Sequence, residues 1–122
     1  MKSGPEFIAH IKDLLTETPD IRVRAMFGGH GIFREGLMIA LLADDLLYFR
    51  ANGARGEALR LKGSAQFRPK VRRGRTAGMP YYRAPDDALE DPDLTNALAH
   101  DAFADALEAD QAKSPTKRKH RP

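Results

Sequence analysis

Four histidines, three serines and two adjacent aspartate pairs are the residues that could carry chemistry in this chain, and their spacing argues against it. His10, His30, His100 and His120 lack the close spacings that bring metal ligands together. Ser3, Ser64 and Ser114 have no neighbouring base and no nucleophile-elbow sequence. Asp44-Asp45 sit side by side at an expected turn, so their side chains diverge and form no acid–base dyad. Asp86-Asp87 precede an expected helical turn, where acids complement the positive helix end. Gly28-Gly29-His30-Gly31 invites comparison with phosphate-binding loops. However, strand residues follow it rather than a helix, and no Lys-Ser/Thr closes it. Cysteine is absent, which excludes disulfides, thiolate nucleophiles and Cys-ligated zinc or iron–sulfur centres. We therefore expect no enzyme activity, no catalytic residues, no metal and no cofactor.

One constellation points to binding. Tyr82 and Arg83 lie in the same segment as Arg72, Arg73 and Arg75, pairing an aromatic with cations as a surface for single-stranded nucleic acid does. Strand alternation supplies the competing reading, in which Tyr81 and Tyr82 point to opposite faces and one of them packs inward.

The elements that position these residues follow from periodicity. Phe7, Ile8, Ile11, Leu14 and Leu15 share one helical face over 5–17. From Ile21 the period is two: Ile21, Val23 and Ala25 alternate with Arg22, Arg24 and Met26. Gly28, Gly29 and Gly31 interrupt, and Ile32-Phe33 resume. We read one long strand over about 22–34, bulged or bent at the glycines, which are expected to be structural. Glu35-Gly36 turns the chain into the apolar run 37–42, and Asp44-Asp45 turns it into the run 46–49. A short helix over 54–62 ends at Gly63. Two strands over 65–71 and 76–82 and a helical turn at 86–89 follow. Asp91 caps a last helix over 92–110, with Pro92 in its first turn. The order α-β-β-β-α-β-β-α predicts an α+β fold of two layers, an antiparallel sheet with helices on one face.

Charge is segregated along the chain. Residues 50–83 hold ten basic groups against Glu57 alone, whereas 84–112 hold nine acids and no Lys or Arg. The tail 113–122 adds five basic groups and no acid, so the overall +3 comes from the tail and the body 1–112 is −2. Such complementary blocks predict that the acidic last helix lies against the basic segment, within one chain or between two. The tail lacks apolar periodicity, is expected to be disordered, and should be dispensable for folding. The boundaries are thus one domain over 1–112 and a basic tail over 113–122. No apolar run approaches the length of a membrane span, and the N-terminus lacks the apolar stretch of a secretory signal, so a cytoplasmic protein is expected.

Arg24 to Phe33, with Met26, Phe27, Gly28, Gly29 and Gly31 at its centre, resembles the opening of the N-terminal domain of the TfoX/Sxy competence regulators. Gly36-Leu37-Met38, Leu47-Tyr48-Phe49-Arg50-Ala51, Met79-Pro80-Tyr81-Tyr82-Arg83-Ala84-Pro85 and Asp91-Pro92 follow in the family's order. The resemblance covers about 7–110. It implies a secretion-chaperone-like α+β domain with a non-enzymatic role near bacterial DNA transformation and transcription regulation. The implied partner is another protein or a second copy of the chain. The alternative is a weak, sequence-independent nucleic-acid binder using 50–83 and the tail.

Overall fold

Two tight turns organise the centre of the chain. Glu35 and Gly36 both adopt positive φ, as do Asp44 and Asp45. Two consecutive left-handed residues match the right-handed twist of the strands they join, so each pair closes a two-residue hairpin. In a computed structural model, which describes residues 4–26, 28–68, 78–113 and 115–119, these hairpins are part of a five-stranded antiparallel meander. Its strands run in chain order: β1 (Ile21–Met26), β2 (Gly29–Arg34), β3 (Leu37–Ala43), β4 (Leu46–Arg50) and β5 (Tyr81–Arg83). The helices are α1 (Pro5–Leu14), α2 (Gly53–Leu61) and α3 (Pro92–Gln111), with short 3-10 turns at Asp86–Glu90 and Pro115–Lys117. The class is α+β.

The expected single strand over 22–34 is corrected to a hairpin. Met26 pairs directly with Gly29, and Ile21 with Arg34. Gly28 lies in the connection at φ +76°, a conformation glycine adopts without a Cβ penalty. The order is therefore α-β-β-β-β-α-β-α. A bulge does occur, but at the β2–β3 pairing between Ile32 and Phe33, where Ile39 is the extra residue. Of the two strands expected over 65–82, the second is shorter and the first is reduced to a bridge from Gln66 to Tyr82, with backbone bonds from Phe67 to Tyr81 and Arg83 to Ala65. Residues 69–77 lie outside the described residues.

The core forms between one face of the sheet and the apolar stripes of α1 and α3. Ile32, Ile39, Ala40, Leu42, Leu47 and Phe49 meet Ile11, Leu14 and Leu15 of the α1 segment and Ala99, Ala102 and Ala106 of α3. Three alanines at the contact let α3 approach the strands closely. Asp91 Oδ1 accepts from Leu94 N at 3.2 Å, so the last helix starts on the expected cap. Asn96 ties α3 to α1: it donates to Leu14 O at 2.8 Å and accepts from Thr18 Oγ1.

The tail also departs from expectation where it is described. Lys119 N donates to Asp110 Oδ1 at 2.8 Å, on a carboxylate only 2% exposed. Arg118 donates to Gln111 O at 3.0 Å and Lys113 O at 3.1 Å, satisfying carbonyls at the C-terminal end of α3 where a cation is favoured. A basic sequence without apolar period is thus ordered by the acceptors α3 presents.

Candidate binding cleft

Strand alternation divides the sheet into two chemically different faces. Ile32, Ala40, Leu42, Leu47 and Phe49 take the side covered by α3. Arg24, Phe33, Met38, Tyr48 and Arg50 alternate with them and take the other. On that outer side Met26, Phe33, Met38 and Met79 are each only half-buried. They line a cleft of about 460 Å³ with Tyr81 and Leu37. All three internal methionines of the sequence reach this one cleft.

Gly31 makes room for them. A Cβ at Gly31 would stand 2.5 Å from Met26 Sδ and 2.9 Å from both Met38 Sδ and Phe33 Cε1. Gly29 has a different constraint: a Cβ there would stand 2.2 Å from the backbone oxygen of Leu42. The glycines expected to be structural thus divide into a turn residue, Gly28, and two close approaches.

Tyr81 fixes the wall of the cleft. Its ring is buried on the edge strand, and its hydroxyl donates to Met38 O at 3.1 Å. Burial pushes the Tyr81 pKa above its ordinary value, only partly opposed by the neighbouring Arg50 guanidinium. Cations rim the apolar floor. The Arg24 guanidinium carbon lies 5.2 Å from the Phe33 ring centroid, and that of Arg50 lies 5.8 Å from the Tyr81 ring. The cleft also reaches the C-terminal part of α3, where Ala106, Ala109 and buried Asp110 line it together with Lys113 and Lys119.

Of the aromatic–cation surface expected from the sequence, Tyr82 and Arg83 are the two members among the described residues. Tyr82 and Arg83 are successive residues of β5 and face opposite sides. Tyr82 packs on Gly56 of α2, where a Cβ would come within 2.8 Å of its ring. Arg83 is exposed and pairs with Asp86 at 3.3 Å. Arg72, Arg73 and Arg75 lie outside the described residues, as does Phe27. Other basic groups of 50–83 are engaged internally. Arg55 meets Asp105 at 2.8 Å and Asp101 at 3.5 Å, and Arg60 meets Glu57. The acidic last helix therefore does contact the basic segment, through Arg55 and the Asn52 N–H that donates to Asp105 Oδ2 at 2.9 Å.

Sequence reasoning did not assemble the cleft. Met26 belongs to the glycine motif and shares a face with Arg24, but Met38, Arg50 and Tyr81 come from other strands, and Met79 from the segment before β5, whose register no local pattern specifies. Their scarcity was the available signal, since methionine occurs four times in the chain. Among the described residues, no group of three His, Cys, Asp or Glu side chains stands together as metal ligands do, and no helix is long and apolar enough to cross a membrane. A family model described as the TfoX N-terminal domain matches residues 13–106. No curated protein matches the chain.

Proposed function

Because the chain belongs to the TfoX N-terminal domain family, we propose that it is a non-enzymatic regulatory module that acts by binding another protein, in a role connected with competence. The observation carrying this reading is the outer face of the sheet. Half-exposed Met26, Phe33, Met38 and Met79 gather there in one cleft, which Ala106 and Ala109 of α3 also line. Thioether side chains adapt to varied apolar partners, which suits a docking surface. The nucleic-acid alternative draws less support, because Arg55, Arg60 and Arg83 already meet carboxylates within the chain. Phosphate binding would have to displace those contacts.

The test places a photo-crosslinking amino acid at position 38 in cells of the native host, and at position 60 on α2 as a control. A discrete protein adduct from position 38 alone is the expected result, and Arg24→Glu should weaken it. Equal adducts from both positions would refute the docking face. A 1–112 fragment that shifts DNA as tightly as the full chain, with the same salt slope, would move the reading to nucleic acid.

A further inference from the structure

We propose that the cleft on the outer face is a binding site for a small amphipathic anion, an acyl or aryl body carrying one carboxylate. Its volume of about 460 Å³ falls within the range of small-molecule pockets, roughly 300–1,000 Å³. Its floor is apolar and deformable, made of Met26, Met38, Met79 and Phe33, so it accommodates a hydrocarbon body without demanding one shape.

The charges specify the sign of the ligand. Arg24 rests on the Phe33 ring and Arg50 on the Tyr81 ring, and neither guanidinium meets a carboxylate among the described residues. Arg50 donates through Nε to the neutral Asn52 Oδ1 at 2.9 Å, so its full positive charge is retained. Stacking on aromatic rings holds both side chains along the cleft with less freedom left to lose on binding. The carboxylate in the lining, Asp110, is turned to the tail: it accepts Lys119 N at 2.8 Å and lies 3.9 Å from Lys113 Nζ. A guanidinium binds a carboxylate through paired N–H bonds, most strongly where water is partly excluded. An apolar floor beside two guanidinium groups that form no ion pair among the described residues therefore selects a carboxylate with a hydrocarbon body over a neutral lipid or a bare anion. Such a site stands whether or not a protein docks on the same face.

The full chain is titrated with 2-naphthoate and octanoate, with octanol and acetate as partial ligands, following displacement of anilinonaphthalene sulfonate and the thermal midpoint. Saturable one-to-one binding of naphthoate or octanoate is expected, at least tenfold tighter than either partial ligand. Arg24→Gln, an exposed position that should leave folding intact, and Arg24→Gln/Arg50→Gln should weaken carboxylate binding tenfold or more while leaving octanol binding unchanged. Arg60→Gln on α2 should change nothing. Absence of saturable binding by both carboxylates overturns the proposal. So does equal affinity for octanol, or unchanged naphthoate affinity in the single and double variants. Capture of an acidic peptide by a protein that rejects both small carboxylates overturns it as well.

Discussion

Gly29 and Gly31 lie two residues apart in one strand and are constrained by different things. A side chain at Gly29 meets Leu42 backbone, which cannot yield without moving β3, whereas one at Gly31 meets the flexible ends of Met26, Met38 and Phe33. Gly29→Val should therefore cost about 1–3 kcal/mol, and Gly31→Ala should stay within about 1 kcal/mol of wild type while narrowing the cleft. Urea midpoints of the two variants check the difference. Tyr81 carries a pH dependence of its own. Its pKa is raised in the folded protein by burial, so its contribution is intact below the unfolded value near 10. That contribution is lost as pH rises through the folded value, because the buried phenol must then ionise. Wild type should lose more stability between pH 8 and 11 than Tyr81→Phe. Equal losses in matched urea titrations would remove Tyr81 as the cause.

The helices depend on a few polar anchors in addition to apolar area. Asp105 Oδ2 accepts from both Asn52 N and Arg55 Nε, joining the start of α2 to the C-terminal half of α3. Its side chain is 14% exposed, so solvent screens the pair less than it screens Arg60–Glu57. Asp105→Ala should cost about 1–3 kcal/mol, because it leaves the Asn52 N–H without its acceptor. Chemical denaturation at low and high salt checks this, and the loss should persist in high salt. The β1–β2 hairpin shows where sequence reading of elements fails. Two glycines in an alternating run fit either a bulge in one strand or a turn between two, and both satisfy local backbone preference. Pairing of Ile21–Met26 with Gly29–Arg34 decides for the turn, since it satisfies two rows of backbone groups that a single strand would leave to other partners.

Across the whole molecule, charge segregation becomes a set of contacts. The acids of α3 meet Arg55 on one side and the returning tail on the other. Removing 113–122 changes the net charge from +3 to −2 and deletes no core residue. The structure nevertheless assigns the tail a part in stability, because Asp110, 2% exposed, loses its Lys119 N–H donor. Truncation should therefore cost about 1–3 kcal/mol, while Arg118→Ala, which affects only terminal carbonyls, should cost less. Thermal midpoints of full chain, truncated chain and Arg118→Ala separate the two effects. A truncated protein as stable as the full chain would return the tail to a solvated appendage.

Local pattern determined most of the elements. The α1 stripe from Phe7 to Leu15, the Asp91 cap with Pro92, and the Glu35-Gly36 and Asp44-Asp45 turns are local features, set within a few residues of each other, and all are legible in the chain. The α+β class followed from their order. The tertiary structure decided what register and return geometry control: which strand Met38 and Tyr81 face, that Tyr82 turns to Gly56 while Arg83 turns to Asp86, and that Lys119 closes on Asp110. Those contacts join residues far apart in the chain, and a one-residue change of register would send each side chain to the other face of the sheet. A cleft built from Met26, Met38, Met79 and Tyr81 exists only after that choice is made, because no stretch of the chain contains enough of it to be read alone.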